Sequence, residues 1–134
     1  MALSADRNTP RKEGDIRNFP LAADTKIYAG ALTAIDAAGN AVPGSVATTL
    51  TAVGRAEAQV DNTGGAAGDL RIDVHKGTFR WANSAGADEI SPEDIGKTAY
   101  IVDDETVALT DGTGTRSAAG EIYDVDAQGV WITH

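Results

Sequence analysis

The stretch Asp69-Leu70-Arg71-Ile72-Asp73-Val74-His75-Lys76-Gly77-Thr78-Phe79-Arg80-Trp81 decides the fold. In it Leu70, Ile72 and Val74 alternate with Asp69, Arg71, Asp73 and His75. Successive strand side chains point to opposite faces, so the alternation predicts a half-buried β-strand with Leu70, Ile72 and Val74 turned to the core. Lys76-Gly77 breaks the run. Beyond the break Phe79 and Trp81 continue an apolar face against Thr78 and Arg80, which predicts a second short strand or a bent continuation of the first.

The flanking sequence carries the same signal. Residues 26–32, 33–36 and 40–43 read as short strands, and Asp36-Ala37-Ala38-Gly39 has the Asp and Gly of a type I turn closed by a glycine bulge. Asp126-Ala127-Gln128-Gly129 repeats that pattern near the C-terminus. Residues 52–60 place Val53, Arg55, Glu57 and Gln59 on one face and small residues or Val60 on the other, a strand whose small face meets another surface closely. The glycine-rich segment 61–68 reads as a loop tip. Ser91-Pro92-Glu93-Asp94 begins a helix, with Ser at the cap, Pro in the first turn and acids at the positive end of the dipole, and Gly96 stops it after about one turn. Residues 97–103 and 106–110 are strands again, and the last hairpin pairs 118–125 with 130–133. The chain therefore reads as all-β, a compact β-sandwich or β-barrel of about eight to ten short strands with one short helical turn near residues 92–95.

Residues 1–20 differ. They are polar, carry Pro10 and Pro20 and show neither period, which predicts an extended N-terminal arm ahead of a single β-domain spanning 21–134. The arm holds Arg7, Arg11, Lys12 and Arg17 against Asp6, Glu13 and Asp15, a net charge of +1, whereas the remaining 114 residues hold 7 basic and 17 acidic groups, a net −10. A body this acidic repels phosphate, so nucleic acid is not an expected partner. With 134 residues the chain can bury roughly two thirds of its unfolded surface. Aromatics are only 5% of it, so the core must be built from Ala, Val and Ile. There is no cysteine to staple the fold, which leaves stability to packing or oligomerisation. No apolar run is long enough to span a membrane and residues 1–7 lack a signal-peptide core, so the expectation is a soluble product made in the cytoplasm, with no membrane partner.

Chemistry is sparse. His75 falls on the polar face of its strand and reads as a solvated histidine rather than a general base. No serine sits in a Gly-x-Ser-x-Gly setting. Asp103, Asp104 and Glu105 lie together, but consecutive strand-end acids point to opposite faces, and Asp124–Gly129 matches only the first half of a calcium loop whose final glutamate the chain does not supply. Gly64, Gly65 and Gly68 lack the Lys-Ser/Thr that would make a phosphate loop. Trp81 and Trp131 read as core aromatics before they read as a stacking platform. The expectation is a protein without catalytic residues, metal or cofactor. The arm residues Arg7, Arg11, Lys12, Arg17 and Phe19 are the candidate partner-binding residues, because they contrast in charge and order with the body.

Several segments, taken in order, carry a resemblance. They are the glycine-containing strand 26–32, Val53-Gly54-Arg55-Ala56, Val74-His75-Lys76-Gly77-Thr78-Phe79-Arg80-Trp81, residues Ile95 to Asp104, Ser117-Ala118-Ala119-Gly120-Glu121-Ile122 and Gly129-Val130-Trp131-Ile132. This series resembles the small β-rich capsid decoration, or cement, proteins that stabilise the heads of tailed bacteriophages. The resemblance covers about residues 26–133. It implies a β-sandwich or β-barrel, commonly trimeric, synthesised in the host cytoplasm and bound to the capsid exterior where major capsid protein subunits meet, with binding as its only activity. The competing expectations are a tail or baseplate structural component, a surface glycan- or receptor-binding module using Trp81 or Trp131, and a hydrolase using acids such as Asp103 and Glu105.

Overall fold

The computed structural model describes residues 2–134. The decisive stretch is a crossing between two sheets. Strand β7 (Arg71–His75) belongs to one, β8 (Thr78–Asn83) to the other, and Lys76-Gly77 carries the chain between them. Ile72 and Val74 are buried on one side of the crossing and Trp81 on the other, so the alternation on each side of the break feeds a separate core. Leu70 departs from the expected face: it precedes β7 and remains 42% exposed.

The first sheet is antiparallel with strand order β1 (Ile16–Pro20), β7, β5 (Thr51–Ala56), β3 (Leu32–Ile35) and β4 (Ala41–Pro43). Its two ends meet, because Leu21, just past β1, forms a parallel bridge to Ala41 of β4 and Ala22 donates its N–H to the Ala41 carbonyl at 3.0 Å. A ribbon of β2 (Lys26–Ile27) and β6 (Val60–Asp61) adds Ile27 to the core this sheet encloses, with Leu21, Ala41, Val53, Ile72 and Val74. The segment 52–60, expected as one strand, is thus two, β5 and β6, paired with different partners.

The second unit is a closed five-stranded barrel. Strand order is β10 (Thr106–Ala108), β8, β12 (Gly129–Thr133), β11 (Ala118–Asp126) and β9 (Thr98–Ile101), with β9 pairing back onto β10. Its interior holds Trp81, Ile90, Ile101, Val107, Ile122, Val130 and Ile132, and Leu32 and Ala34 of β3 pack into the same cluster. The two units are therefore joined by apolar contact, which removes area from water on both sides. Polar ties add direction. The Leu32 N–H donates to the Asp104 carbonyl at 2.8 Å, and the buried Ser117 hydroxyl donates to the Ala47 carbonyl while accepting the Leu50 N–H. A hydroxyl satisfied in both roles is compatible with burial.

The helix start at Ser91 becomes a single 3₁₀ turn, Pro92–Asp94, and a second such turn spans Gly86–Asp88. Asp94 returns to cap the Ser91 N–H at 2.9 Å. The two Asp-x-x-Gly turns are not copies. In the first, Asp36 and Asn40 close the turn and Gly39 takes φ +84°; in the second, Asp126 pairs directly with Gly129 across a two-residue loop.

The segment expected as an extended arm ends in sheet. Residues 16–20 are β1, an edge strand paired along its length with β7 (Arg17↔Val74, Phe19↔Ile72). Its side chains are exposed or only half-buried, so neither face carries the alternation that reveals a strand in sequence.

One backbone contact governs the crossing. Gly54 of β5 has φ +136°, and a Cβ there would lie 2.1 Å from the carbonyl oxygen of His75. Gly54→Ala is expected to destabilise the protein by about 2 kcal/mol or more, since both the left-handed backbone and the contact oppose a side chain. Denaturant unfolding of the variant checks this, and wild-type stability would show that the strands can move apart there without cost.

Candidate partner-binding site

The five arm residues divide into two groups. Arg7, Arg11 and Lys12 lie on an exposed segment, 2–15, that forms no strand or helix. Its hydrogen bonds are mostly internal: Arg7 Nη1 donates to Thr9 Oγ1 at 3.3 Å, and Arg11 pairs with Glu13. Exposed pairs of this kind contribute little to stability. Arg17 and Phe19 instead belong to β1. The Arg17 guanidinium donates to the Val53 carbonyl at 3.0 Å and sits 5.3 Å from the Phe19 ring centre, so it fastens β1 across β7 to β5.

Where the free segment meets the sheet, the Asp15 carbonyl accepts the Lys76 N–H at 2.7 Å. That bond brings the crossing residue Lys76 beside the base of the segment. Lys12, Glu13, Gly14, Ile16, Arg17 and Lys76 line one small cleft of about 170 Å³ there. Lys76 is a lining residue of this cleft that sequence reading missed, because a lone lysine in a Lys-Gly turn carries no signal of what lies next to it.

The residues weighed for chemistry are otherwise occupied. His75 is half-buried, with Nδ1 3.3 Å from a Glu57 carboxylate oxygen and its ring edge-on to Phe79. Asp126 Oδ1 accepts the Gln128 and Gly129 N–H groups and its Oδ2 accepts the Trp131 indole N–H at 2.8 Å. Asp103 Oδ1 accepts the Glu105 N–H. Among the described residues no group of three or more His, Cys, Asp or Glu side chains is placed to hold a metal ion, and no helix is long and apolar enough to cross a membrane.

The two tryptophans have different surroundings. Trp81 is 5% exposed and its indole N–H donates to His134 Nε2 at 2.9 Å, while His134 Nδ1 lies 2.8 Å from the Ala119 carbonyl. An acceptor at Nε2 and a donor at Nδ1 define the neutral imidazole. Trp131 is half-buried, held by Asp126, with the Arg80 guanidinium 5.8 Å from its ring; Gly30, Arg55, Phe79, Arg80, Trp81 and Trp131 line a groove of about 310 Å³.

These features define a class: an all-β protein in which a curled sheet and a closed barrel carry an exposed polar segment at one sheet edge. No protein-family model, curated protein or solved structure matches the chain.

Two groups of side chains make stability pH-dependent. Burial holds the His134 imidazole below its ordinary 6.5, against the smaller opposite pull of the Ala119 carbonyl. The unfolded chain therefore takes up a proton that the folded one refuses, so stability is full above pH 6.5 and declines as pH falls from there toward the folded value. Carboxylates act in a lower window. The Lys97 ammonium and the Ser91 N–H hold Asp94 below 3.8, the Trp131 indole holds Asp126 below it, and hydroxyls of Thr63 and Thr110 do so for Asp61 and Asp88. Their contribution is present above pH 3.8 and is lost as pH falls below it. His134→Ala should remove the upper decline, leave the lower one, and cost about 1–3 kcal/mol at neutral pH by leaving the Trp81 N–H without its acceptor. Thermal unfolding across pH checks this; an upper decline that survives in the variant would assign it to another group.

Proposed function

We propose that this protein is a capsid decoration protein of a tailed bacteriophage, which binds the outer surface of the head where major capsid protein subunits meet and stiffens the shell without catalysis. The observation that carries this reading is the segment 2–15, exposed and balanced in charge beside an acidic body, which projects from an edge strand and makes few hydrogen bonds to its own domain. A chain that spends so little of its polar surface on itself has it free for a neighbour. The all-β body and the order of the segments that resemble decoration proteins support the same reading.

The physical action is additional contact area. A protein bound across two capsid subunits must be released before they separate, so its binding free energy opposes rupture. If each copy buries about 800 Å² of its own surface in a standard contact, many modest contacts repeated over a lattice add to a large total. Assembly as a trimer, with three bodies sharing an interface, supplies stability that a cysteine-free, aromatic-poor core gains from association.

A second reading, a surface glycan-binding module, is favoured by the Arg55–Trp131 groove. Trp81 leaves that reading as an anchor, because it is buried and its N–H is engaged. Saturable quenching of Trp131 fluorescence by glycans, absent in Trp131→Phe, would favour it.

Cosedimentation with mature capsids of the virus that encodes the protein tests the main proposal. Saturation at a fixed ratio to the capsid lattice is the expected result, and absence of binding by folded protein would overturn it. Removal of residues 2–14, stopping short of β1, is expected to leave the melting temperature nearly unchanged and to lower capsid occupancy about tenfold or more. Unchanged occupancy would remove the segment from the interface.

A further inference from the structure

The cleft at the base of the segment points to the chemistry of the partner surface. This inference rests on the capsid-binding reading. Lys12 and Arg17 come from the N-terminal segment and Lys76 from the crossing between sheet and barrel, so residues 64 positions apart line one cleft. Among the described residues none of the three forms an ion pair with a carboxylate. Glu13, which also lines the cleft, is paired with Arg11. Asp15 contributes its backbone carbonyl to Lys76 and one exposed carboxylate nearby, which leaves positive charge in excess. Ile16, 55% exposed, stands among the cations as an apolar contact.

Elsewhere the charge has the opposite sign, since residues 21–134 carry 17 acids against 7 basic groups. An acidic surface is repelled by most of this molecule and attracted at this one end. We infer that the Lys12–Arg17–Lys76 cleft is the docking point on the capsid and that it receives a carboxylate-bearing loop of the major capsid protein, with Ile16 contacting the loop's apolar flank. Complementary charge of this kind orients the encounter and raises the association rate more than it deepens affinity, and it weakens as salt screens it. Gly14, at φ +112°, sets the turn that leads from the free segment into the cleft.

The test is capsid binding by wild-type protein, Lys76→Glu and Lys26→Glu at low and high ionic strength, with association rates recorded. Lys76 is exposed at a turn and its side chain makes no hydrogen bond among the described residues, so the variant is expected to fold; Lys26→Glu makes the same change in net charge outside the cleft. The expected result is an association rate lowered about tenfold or more in Lys76→Glu and much less in Lys26→Glu. Wild-type binding should also weaken as added salt shortens the screening length from about 10 Å to about 3 Å. Saturable wild-type binding that neither salt nor Lys76→Glu alters overturns the inference and leaves the capsid reading standing. Equal losses in both variants reduce the effect to net charge and also overturn it. Wild-type protein that binds at no ionic strength overturns the capsid reading and this inference with it.

Discussion

The carbonyl oxygen of His75 occupies the space a side chain at position 54 would need, and much of the molecule is arranged around that contact. Because residue 54 is glycine, β5 can lie against β7 at the point where the chain leaves the first sheet, and three residues later Thr78 opens β8 of the barrel. The same crossing sets Lys76 against Asp15, and so fixes where the N-terminal segment departs. The barrel has a parallel contact of its own: a Cβ at Gly129 would lie 2.4 Å from the Trp81 carbonyl. In both places the backbone of the crossing stretch presses on a neighbouring strand, and a side chain there would separate the pair.

Position 72–81 was legible in sequence because burial on one face leaves a period-2 trace, and Ile72, Val74 and Trp81 are buried as that trace requires. What it could not show is that the two halves serve different cores, since alternation reports a buried face and not which sheet buries it. Edge strand β1 left no trace for the opposite reason. Ile16, Arg17 and Asn18 are all exposed, so pairing holds the strand while neither face records it. The N-terminal segment was legible as a contrast in charge, yet its last five residues are sheet, and Lys76 entered the cleft only through a long-range contact. Turn chemistry was legible at Asp36 and Asp126 but not the loop length each would adopt.

Polar burial is economical. Ser117 and the Trp81–His134 pair satisfy their groups across segments far apart in sequence, and Asp94 does so locally with Ser91 and Lys97. Apolar contact between β3 and the barrel supplies area without direction, so the Ser117 bonds to Ala47 and Leu50 and the Leu32–Asp104 bond select one arrangement of sheet on barrel among the many that apolar packing alone would accept.

Strand β1 also has a mechanical meaning. Residues 2–15 continue directly into it, and its five residues pair in unbroken register with β7. Tension applied through the segment along the strand axis loads all the β1–β7 hydrogen bonds at once, in shear, rather than peeling them one by one. The Arg17 bond to Val53 and the Leu21–Ala41 bridge then pass the load to β5 and β4. A segment anchored this way resists being pulled out of its own fold.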